Sequence, residues 1–444
     1  MKNVIINHGN DPFEVMYKSF RLFNKSSSKW KRDFVPMSAG INWIKTNPLI
    51  KELLKAEIQN DLSTRNYGNA AGTQLITRLL QYSENKLFRS TDIHVTLTNG
   101  ATDGAHIVLD NWMRRGVLNK NEKAMVIGHT FGFYYKECKF FSLRYYEILV
   151  DKNNIFSFLP STERIISELS RVKPSIIFLL FPNNPFGELI NISALKEIAK
   201  YVINTNSKIL LDKVCLMPWD NISEHQQIIG KLVSSGHAVS VDSLSKSQGI
   251  AGLRVGFLST NGLIKKQITE HIKSRYLNPV VFGTPTLALA RLCRIDLQYS
   301  KKVGDLVRKS QSLLFSEYPY DESFDNYFQL CYENIDKLSR SMEKDQLRIE
   351  TNLKVIRKVF SSSVRPINLT AGFNVVVSTD KMKMQNELND QIQLSKEFGI
   401  GVLTSSCFCE VDTSSHYFIR FGLSLDEQTF EDTLMRISDF YKDK

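Results

Sequence analysis

The sequence has no apolar run long enough to cross a bilayer. Its longest uninterrupted run, residues 176–182, is far shorter than the ~20 residues that a membrane-spanning helix needs. The N-terminus shows no apolar core followed by a small-residue cleavage site, so we expect no secretory signal and no membrane partner. The 6 cysteines are scattered along 444 residues and form no disulfide framework. These absences predict a protein of a reducing compartment, the cytoplasm.

Metal-binding and nucleic-acid-binding motifs are also missing. Cys407 and Cys409 are separated by one residue, but no second Cys or His pair with zinc spacing accompanies them, so we expect no metal site. The net charge is +11, yet the basic residues fall into short clusters separated by acid-containing stretches. Because none of these clusters carries a DNA- or RNA-binding motif, we expect no nucleic-acid partner. An anionic cofactor and anionic substrates would also suit a basic protein.

Short β-branched runs alternate with helical segments between about residues 90 and 260. The runs predict strands at residues 94–98, 124–128, 146–150, 175–181, 208–212, 238–242 and 255–259. Helices are predicted between some of them, at residues 161–172 and 191–202. Several runs are apolar on both faces, which is typical of strands buried in a mostly parallel sheet. The pattern predicts an α/β domain whose ligands bind beyond the carboxyl ends of the strands.

The rest of the chain predicts a second, smaller domain. After residue 264 the sequence becomes helical, and residues 332–360 form a charged amphipathic stretch. Alternating strands return near residues 373–378 and 417–423. We therefore predict a large domain at 46–295 and a smaller α+β domain at 333–444, which the N-terminal segment 1–45 completes. Residues 296–332, rich in Tyr and Phe, stay unassigned.

One segment indicates a specific chemistry. Residues 243–257 place Lys246 among small hydroxyl residues and glycines, and Arg254 follows eight positions later. A lysine that forms an imine needs room for a planar cofactor and surroundings that let it lose its proton. Hydroxyl groups and an arginine suit a dianionic phosphate. The segment predicts pyridoxal-phosphate chemistry with Lys246 as the Schiff-base lysine; a solvated loop is the alternative interpretation.

Further motifs follow in the order of a known family. Asp212 ends a predicted strand, and Asn184 opens an Asn-Pro-Phe-Gly turn 28 residues earlier. With Lys246 and Arg254, they resemble the class I/II aminotransferases, which are fold type I pyridoxal-phosphate enzymes, over about residues 40–424. The resemblance implies a mostly parallel sheet flanked by helices, with a smaller α+β domain. It also implies that Asp212 keeps the pyridine nitrogen protonated and that Asn184 donates to the phenolic oxygen of the cofactor.

The resemblance assigns a phosphate-binding group. The loop after the first predicted strand puts Gly100, Ala101 and Thr102 at the phosphate, since N–H groups at a helix N-terminus bind anions. Asp103 is less expected beside a dianion and is predicted to cap the helix instead. The group is completed by three residues of the lysine segment, Ser243, Ser245 and Arg254.

Two aromatic positions complete the cofactor contacts that the resemblance implies. Phe131 matches the residue that stacks on the pyridine ring, with Phe133 and Tyr134 as competitors and a plain core role as the alternative. Tyr67, in a Tyr-Gly segment, matches a tyrosine that reaches the phosphate of a neighbouring subunit. The resemblance therefore implies a homodimer with shared active sites; a loop aromatic is the alternative interpretation of Tyr67.

The substrate contacts are implied in the same way. Arg420 lies in a predicted C-terminal strand, where a charged residue usually points outward, but the family uses an arginine there to grip the substrate α-carboxylate. Gly40 matches an N-terminal glycine whose backbone lies beside that carboxylate. Asn184 also belongs to this substrate-binding set. Trp43 lines the side-chain pocket or anchors the core; the sequence favours neither.

Two features depart from the family pattern. Cys215 stands where relatives have a tyrosine that donates to the phenolic oxygen, and a thiol is a weaker donor on a shorter stem. The stretch 296–332 is longer than the family norm. It either caps the mouth of the active site or is an inserted surface element, and we expect the latter.

These motifs predict an aminotransferase that uses an amino acid and a 2-keto acid in a ping-pong cycle. The Lys246 amine would move the proton between the substrate Cα and C4′ of the cofactor. A lyase, cyclase or synthase on the same scaffold, such as a C–S β-lyase, is the main alternative, because the chemistry diverges late. A binding protein with a vestigial site is a third hypothesis, which the intact Lys246, Asp212, Arg254 and Arg420 disfavour. The amino donor is not identified, because no second arginine for a dicarboxylic substrate is matched.

Overall fold

A computed structural model describes most of the chain. The described residues are 11–38, 40–59, 70–149, 156–277, 282–284, 286–288, 290–292, 322–382, 386–408 and 417–442. The chain divides into two compact units. The first unit comprises Met1–Trp43, Leu118–Lys208 and Leu347–Lys444, and the second comprises Ile44–Val117 and Ile209–Gln346. These units are groups of contacting residues rather than domains, so the domain boundaries drawn from the sequence stay a prediction.

Helices and strands alternate through the middle of the chain as predicted. The strands are β1 His94–Thr98, β2 Lys123–Ile127, β3 Arg144–Ile148, β4 Ile176–Leu180, β5 Lys208–Asp212, β6 Ala238–Ser243, β7 Gly256–Thr260, β8 Asn374–Val377, β9 Leu403–Thr404 and β10 Ile419–Gly422. The helices are α1 Pro12–Trp30, α2 Pro48–Gln59, α3 Ala70–Leu87, α4 Ala101–Arg114, α5 Phe133–Phe140, α6 Thr162–Val172, α7 Ile192–Thr205, α8 Gln226–Ser234, α9 Leu244–Ser247, α10 Gly262–Tyr276, α11 Glu322–Val359, α12 Glu387–Glu397 and α13 Glu427–Lys442. Each strand predicted between residues 94 and 259 is present, and the largest shift is at β3, predicted at 146–150.

Strand ends converge at one edge of the sheet in the second unit. The strand order there is β1-β7-β6-β5, with β5 parallel to β6 and with β7 antiparallel to β1 and β6. Gly256, the first residue of β7, pairs with Thr98 at the end of β1 and with Ser243 at the end of β6. Because β7 runs backwards, its start meets the carboxyl ends of its neighbours. The loops that carry residues 99–102 and 244–255 therefore leave the sheet side by side.

The first unit contains parallel strands and a separate small sheet. The parallel strands follow the order β4-β2-β3, and every residue of β4 is buried. The small sheet has the order β8-β10-β9 and is antiparallel. Its core is rich in aromatic residues, which include Phe23, Phe158, Phe186, Phe408 and Phe418. Mostly parallel strands flanked by helices, with a smaller second sheet, confirm the predicted fold class.

Polar caps explain where two predicted helices begin. The Ser161 hydroxyl accepts from the N–H of Arg164 at 3.2 Å, and the Asn191 side chain accepts from the N–H of Ser193 at 2.8 Å. Such caps satisfy N–H groups that the first turn of a helix leaves without partners. Within the described part of the chain, no helix combines the length and apolarity that crossing a membrane requires.

Candidate active site

The loop after β1 brings glycine and helix N–H groups to the edge where the strands end. Gly100 precedes α4 with φ +93°, a conformation that other L-residues rarely adopt. A Cβ atom here would lie 3.0 Å from Nη2 of Arg254. Asp103 accepts from the N–H of Asn99 at 3.0 Å, so its carboxylate binds the loop before α4, and the N-cap Gly100 has no side-chain cap. Ala101 and Thr102 form the first turn of α4, where the helix dipole is positive.

Arg254 lies against this helix start. Its Nη2 donates to the Thr102 hydroxyl at 3.2 Å, and its Nη1 donates to the Ala251 carbonyl at 3.2 Å. A guanidinium beside the positive end of a helix is repelled unless an anion joins them. The arrangement of Arg254, Thr102 and Gly100 is therefore suited to a phosphate or carboxylate group.

The lysine segment leaves the same edge of the sheet. Ser243 is buried, and its hydroxyl accepts from the N–H of Ser245 at 3.2 Å, which begins the short helix α9. Lys246 lies in α9 and is half-buried. A Cβ atom at Gly256 would lie 2.7 Å from Gly100, so only glycine lets the two loops pack this closely. The structure thus brings the predicted phosphate residues of the second unit together near Lys246.

Asp212 and Cys215 follow β5 in the second unit. Asp212 is half-buried and pairs with Val241 of β6, and its Oδ1 accepts from the N–H of Val214 at 3.0 Å. Cys215 is buried and forms no disulfide. Asp212 therefore stands at the predicted strand end, with its carboxylate orientation fixed by the turn that follows.

Arg420 contacts the other predicted substrate-binding residues of the first unit, Asn184 and Gly40. It lies in β10 with only 2% of its surface exposed, so it does not point outward. Its Nη1 donates to Oδ1 of Asn184 at 2.8 Å, and its Nη2 donates to the carbonyl of Ser38. The guanidinium also lies 4.8 Å from the centre of the Phe408 ring. These contacts fix the orientation of the guanidinium.

Glycine is required beside this arginine. Gly40 has φ +65°, and a Cβ atom there would lie 2.9 Å from Nη2 of Arg420. The structure therefore brings Gly40, Asn184 and Arg420 together. The backbone N–H of Trp43 donates to the Ser424 hydroxyl at 2.8 Å, and the residue is 36% exposed. Its side chain is thus partly free of the core.

The aromatic residues predicted to contact the cofactor differ in how deeply they are buried. Tyr134 is buried, with its ring 4.9 Å from that of Phe178, so it belongs to the core. Phe131 is half-buried at the margin of the aromatic core, and its ring is stacked 6.5 Å from that of Phe133. Tyr67 and most of the 296–332 stretch lie outside the described residues.

Two sets of buried ionisable side chains are not among the residues predicted from the sequence. Burial lowers the pKa of His129 to about 3, and the charge of Arg365 acts in the same direction, so the imidazole is neutral. Its ring packs against Phe186 and Phe418. The second group is a set of four buried charged side chains in the second unit: Glu84, Lys213, Asp242 and Arg291. A lysine directly after a buried strand is the one sequence signal that could have revealed this set.

Comparisons with known proteins agree with the motifs. The sequence model of the family described as aminotransferase class I and II matches residues 32–314. A histidinol-phosphate aminotransferase from Blochmanniella floridana is 26% identical over 223 residues, which cover 50% of this chain and 57% of that relative. One from Clostridium novyi is 22% identical over 386 residues, covering 82% of this chain and 97% of the relative.

Several curated relatives match this chain over only part of their length, whereas a solved structure matches it over its whole length. The chain spans about half the length of several curated relatives, for example 48% of the enzyme from Blochmanniella pennsylvanica. The crystal structure of an aminotransferase from Mycobacterium tuberculosis has a TM-score of 0.71 at 14% identity and covers 100% of both chains. At this identity the likeness shows the fold, whereas the match of the family model over residues 32–314 shows ancestry. The chain belongs to the aminotransferase class I and II family.

Proposed function

We propose that the protein is a pyridoxal-phosphate-dependent aminotransferase that moves an amino group from an amino acid to a 2-keto acid. The observation that carries the proposal is the buried Arg420, whose guanidinium is oriented by Oδ1 of Asn184 and the carbonyl of Ser38. A guanidinium held in this way offers charge-assisted hydrogen bonds to a substrate carboxylate. The relatives named above are aminotransferases, which favours this activity over a lyase, cyclase or synthase.

Residues of the second unit fit the phosphate group of pyridoxal phosphate. Gly100 leaves room beside Arg254, and both adjoin the N-terminus of α4, as a dianionic phosphate requires. Ala101, Thr102, Ser243 and Ser245 would supply hydroxyl and N–H donors, and Lys246 would hold the cofactor as an imine. By analogy with the family, Asp212 would bind the ring nitrogen, and Asn184 of the first unit would donate to the phenolic oxygen. Cys215 would donate to that oxygen only weakly. We assign Phe131 to the face of the ring.

Different residues of the protein would bind the substrate and transfer the proton. When bound, the cofactor supplies an electron sink for the substrate. Arg420, Asn184 and Gly40 would bind and orient the α-carboxylate, while Trp43 would line the side-chain pocket. The Lys246 amine would take the proton from the substrate Cα and return it on the way to product. Asp212 would keep a proton on the pyridine nitrogen throughout.

The subunit arrangement and location are further parts of the proposal. We assign a homodimer in which Tyr67 of one subunit contacts the phosphate of the other, by analogy with the family. The cysteines are scattered, and the described Cys138, Cys215 and Cys407 form no disulfide, which fits a reducing cytoplasm. Light scattering of the purified protein would show twice the mass of one 50.9 kDa chain, and a monomer would contradict the shared site.

A substrate screen tests the proposed activity. The purified protein is mixed with pyridoxal phosphate, each of the common amino acids or histidinol phosphate, and a set of 2-keto acids. We expect amino-group transfer that requires both partners. Release of keto acid or ammonia without an acceptor would identify a lyase instead, and a protein whose absorbance does not respond to any amine would be a binding protein.

Replacing Gly100 by alanine should weaken phosphate binding. The new Cβ atom meets Arg254 at 3.0 Å, and φ +93° strains any other residue. We expect the Kd for pyridoxal phosphate to rise at least tenfold, about 1.4 kcal/mol. The matched control is Gly116→Ala, where φ is +67° but the space around the new Cβ is open. Equal affinities of the two variants would show that Gly100 does not hold the phosphate.

A further inference from the structure

Four charged side chains of the second unit are buried together behind the strand ends. Glu84 comes from α3, Lys213 follows β5, Asp242 lies in β6, and Arg291 lies near the end of a described segment. The side chains of the first three are 0% exposed, and that of Arg291 is 3% exposed. Two cations and two anions make the set electrically neutral. We call it the buried tetrad.

Lys213 is the centre of the buried tetrad. Its Nζ contacts a carboxylate oxygen of Glu84 and lies 3.3 Å from Oδ2 of Asp242, while Arg291 contacts the other oxygen of Asp242. The Ser259 hydroxyl donates to Glu84 at 2.7 Å. One ammonium group thus ties α3 to the ends of β5 and β6.

The charges of the tetrad depend on one another. Burial lowers the pKa of Lys213, and the neighbouring Arg291 adds to this, whereas Glu84 and Asp242 act against it. Burial acts to raise the pKa of Glu84, but the charges of Lys213 and Arg291 outweigh it and leave that pKa below its usual value. Well-packed apolar residues often stabilise a core as well as a buried ion pair does. Stability alone is therefore a poor reason for four buried charges here.

The tetrad is linked directly to the residues proposed to bind the cofactor. Lys213 follows Asp212, and its N–H donates to the Val241 carbonyl at 3.1 Å. Asp242 precedes Ser243, and its Oδ1 accepts a hydrogen bond from the N–H of Ser243 at 2.7 Å. A movement of the Lys213 ammonium would take the direct ion-pair partner from the buried carboxylate of Glu84 and one of two from Asp242, so both strand ends are held in place.

We propose that Lys213, with Glu84, Asp242 and Arg291, positions Asp212 and the Ser243–Lys246 segment for the cofactor. This inference rests on the proposed function. Lys213 and its partners do not touch the cofactor in this proposal; they act through the residues that do. The alternative is a tetrad that only stabilises the second unit.

The test removes one charge of each sign. In the double variant Lys213→Met/Glu84→Gln, the pair Arg291–Asp242 remains and the site stays neutral. We expect the apoprotein to fold, the Kd for pyridoxal phosphate to rise at least tenfold, and the circular dichroism of the bound cofactor to change. That dichroism reports the orientation of the cofactor, which a merely stabilising tetrad would not alter. A lower apoprotein Tm with unchanged Kd and dichroism would overturn the proposal.

Two further variants keep the test decisive. Glu57→Gln is the control, because Glu57 is also buried in the second unit but binds the N–H of Gly283 at 2.7 Å and the Thr286 hydroxyl. Glu57→Gln should lower the apoprotein Tm without changing the dichroism of the cofactor.

Where the double variant does not fold, Ser259→Ala removes one hydrogen bond to Glu84, and we expect the Kd for pyridoxal phosphate to rise at least twofold. No change in Kd or dichroism there would overturn the proposal. Wild-type protein that binds no cofactor would instead refute the proposed function.

Discussion

Arg420→Ala should weaken the binding of amino acids by orders of magnitude while the cofactor is retained. The variant loses a forked donor whose hydrogen bonds to a carboxylate contribute about 1.5–3 kcal/mol each. Losing two of them corresponds to a fall in amino-acid affinity of roughly 10²- to 10⁴-fold. The measurement is the dependence of the cofactor's absorbance change on amino-acid concentration. Arg420→Lys should recover little, because an ammonium group lacks the fork.

The control for Arg420 is another buried arginine of the first unit. Arg365 is fully buried, and its Nη1 donates to the Ser157 carbonyl at 3.4 Å. Arg365→Ala should lower the Tm without a selective loss of amino-acid affinity. If the Arg420→Ala protein handled amino acids and simple amines as wild type does, the carboxylate assignment would be wrong.

Lys246→Ala should show the largest loss of turnover. The lysine is proposed both to hold the cofactor and to move the Cα proton, and proton transfer by a positioned side chain alone contributes about 10²–10⁴-fold. We expect turnover to fall by at least that factor, and added methylamine to restore part of it. Single-turnover absorbance with an amino acid measures the rate.

A second lysine provides the comparison for Lys246. Lys265 is a half-buried lysine of α10, and burial lowers its pKa. Lys265→Ala should leave turnover unchanged. A Lys246→Ala protein that still turned over at the wild-type rate would remove Lys246 from the mechanism.

Local pattern predicted the elements that depend on local chemistry. The strands at 94–98 and 208–212 were placed to the residue, since short β-branched runs bounded by polar residues specify them. Helices α6 and α7 begin directly after the residues predicted to start them because Ser161 and Asn191 cap them. The direction of β7 was not predicted, because periodicity reports which face is buried and not which way a strand runs.

Local sequence patterns do not predict contacts between residues that are far apart in the chain. Lys213 and Glu84 are 129 positions apart, so their pairing depends on how α3 packs beside β5 and β6. Arg420 shows the reverse case. Simple alternation would place it in solvent, but all four residues of β10 are buried, and only the family resemblance indicated an inward arginine. The close approach of Gly256 to Gly100 likewise follows from the antiparallel β7.

Borohydride reduction followed by peptide mapping tests the central claim most directly. The protein is loaded with pyridoxal phosphate, reduced, digested and analysed by mass spectrometry. The proposal predicts a pyridoxyl group on Lys246 and a loss of that label in the Lys246→Ala variant. A label on another lysine, or a wild-type protein that takes up no label, would contradict it.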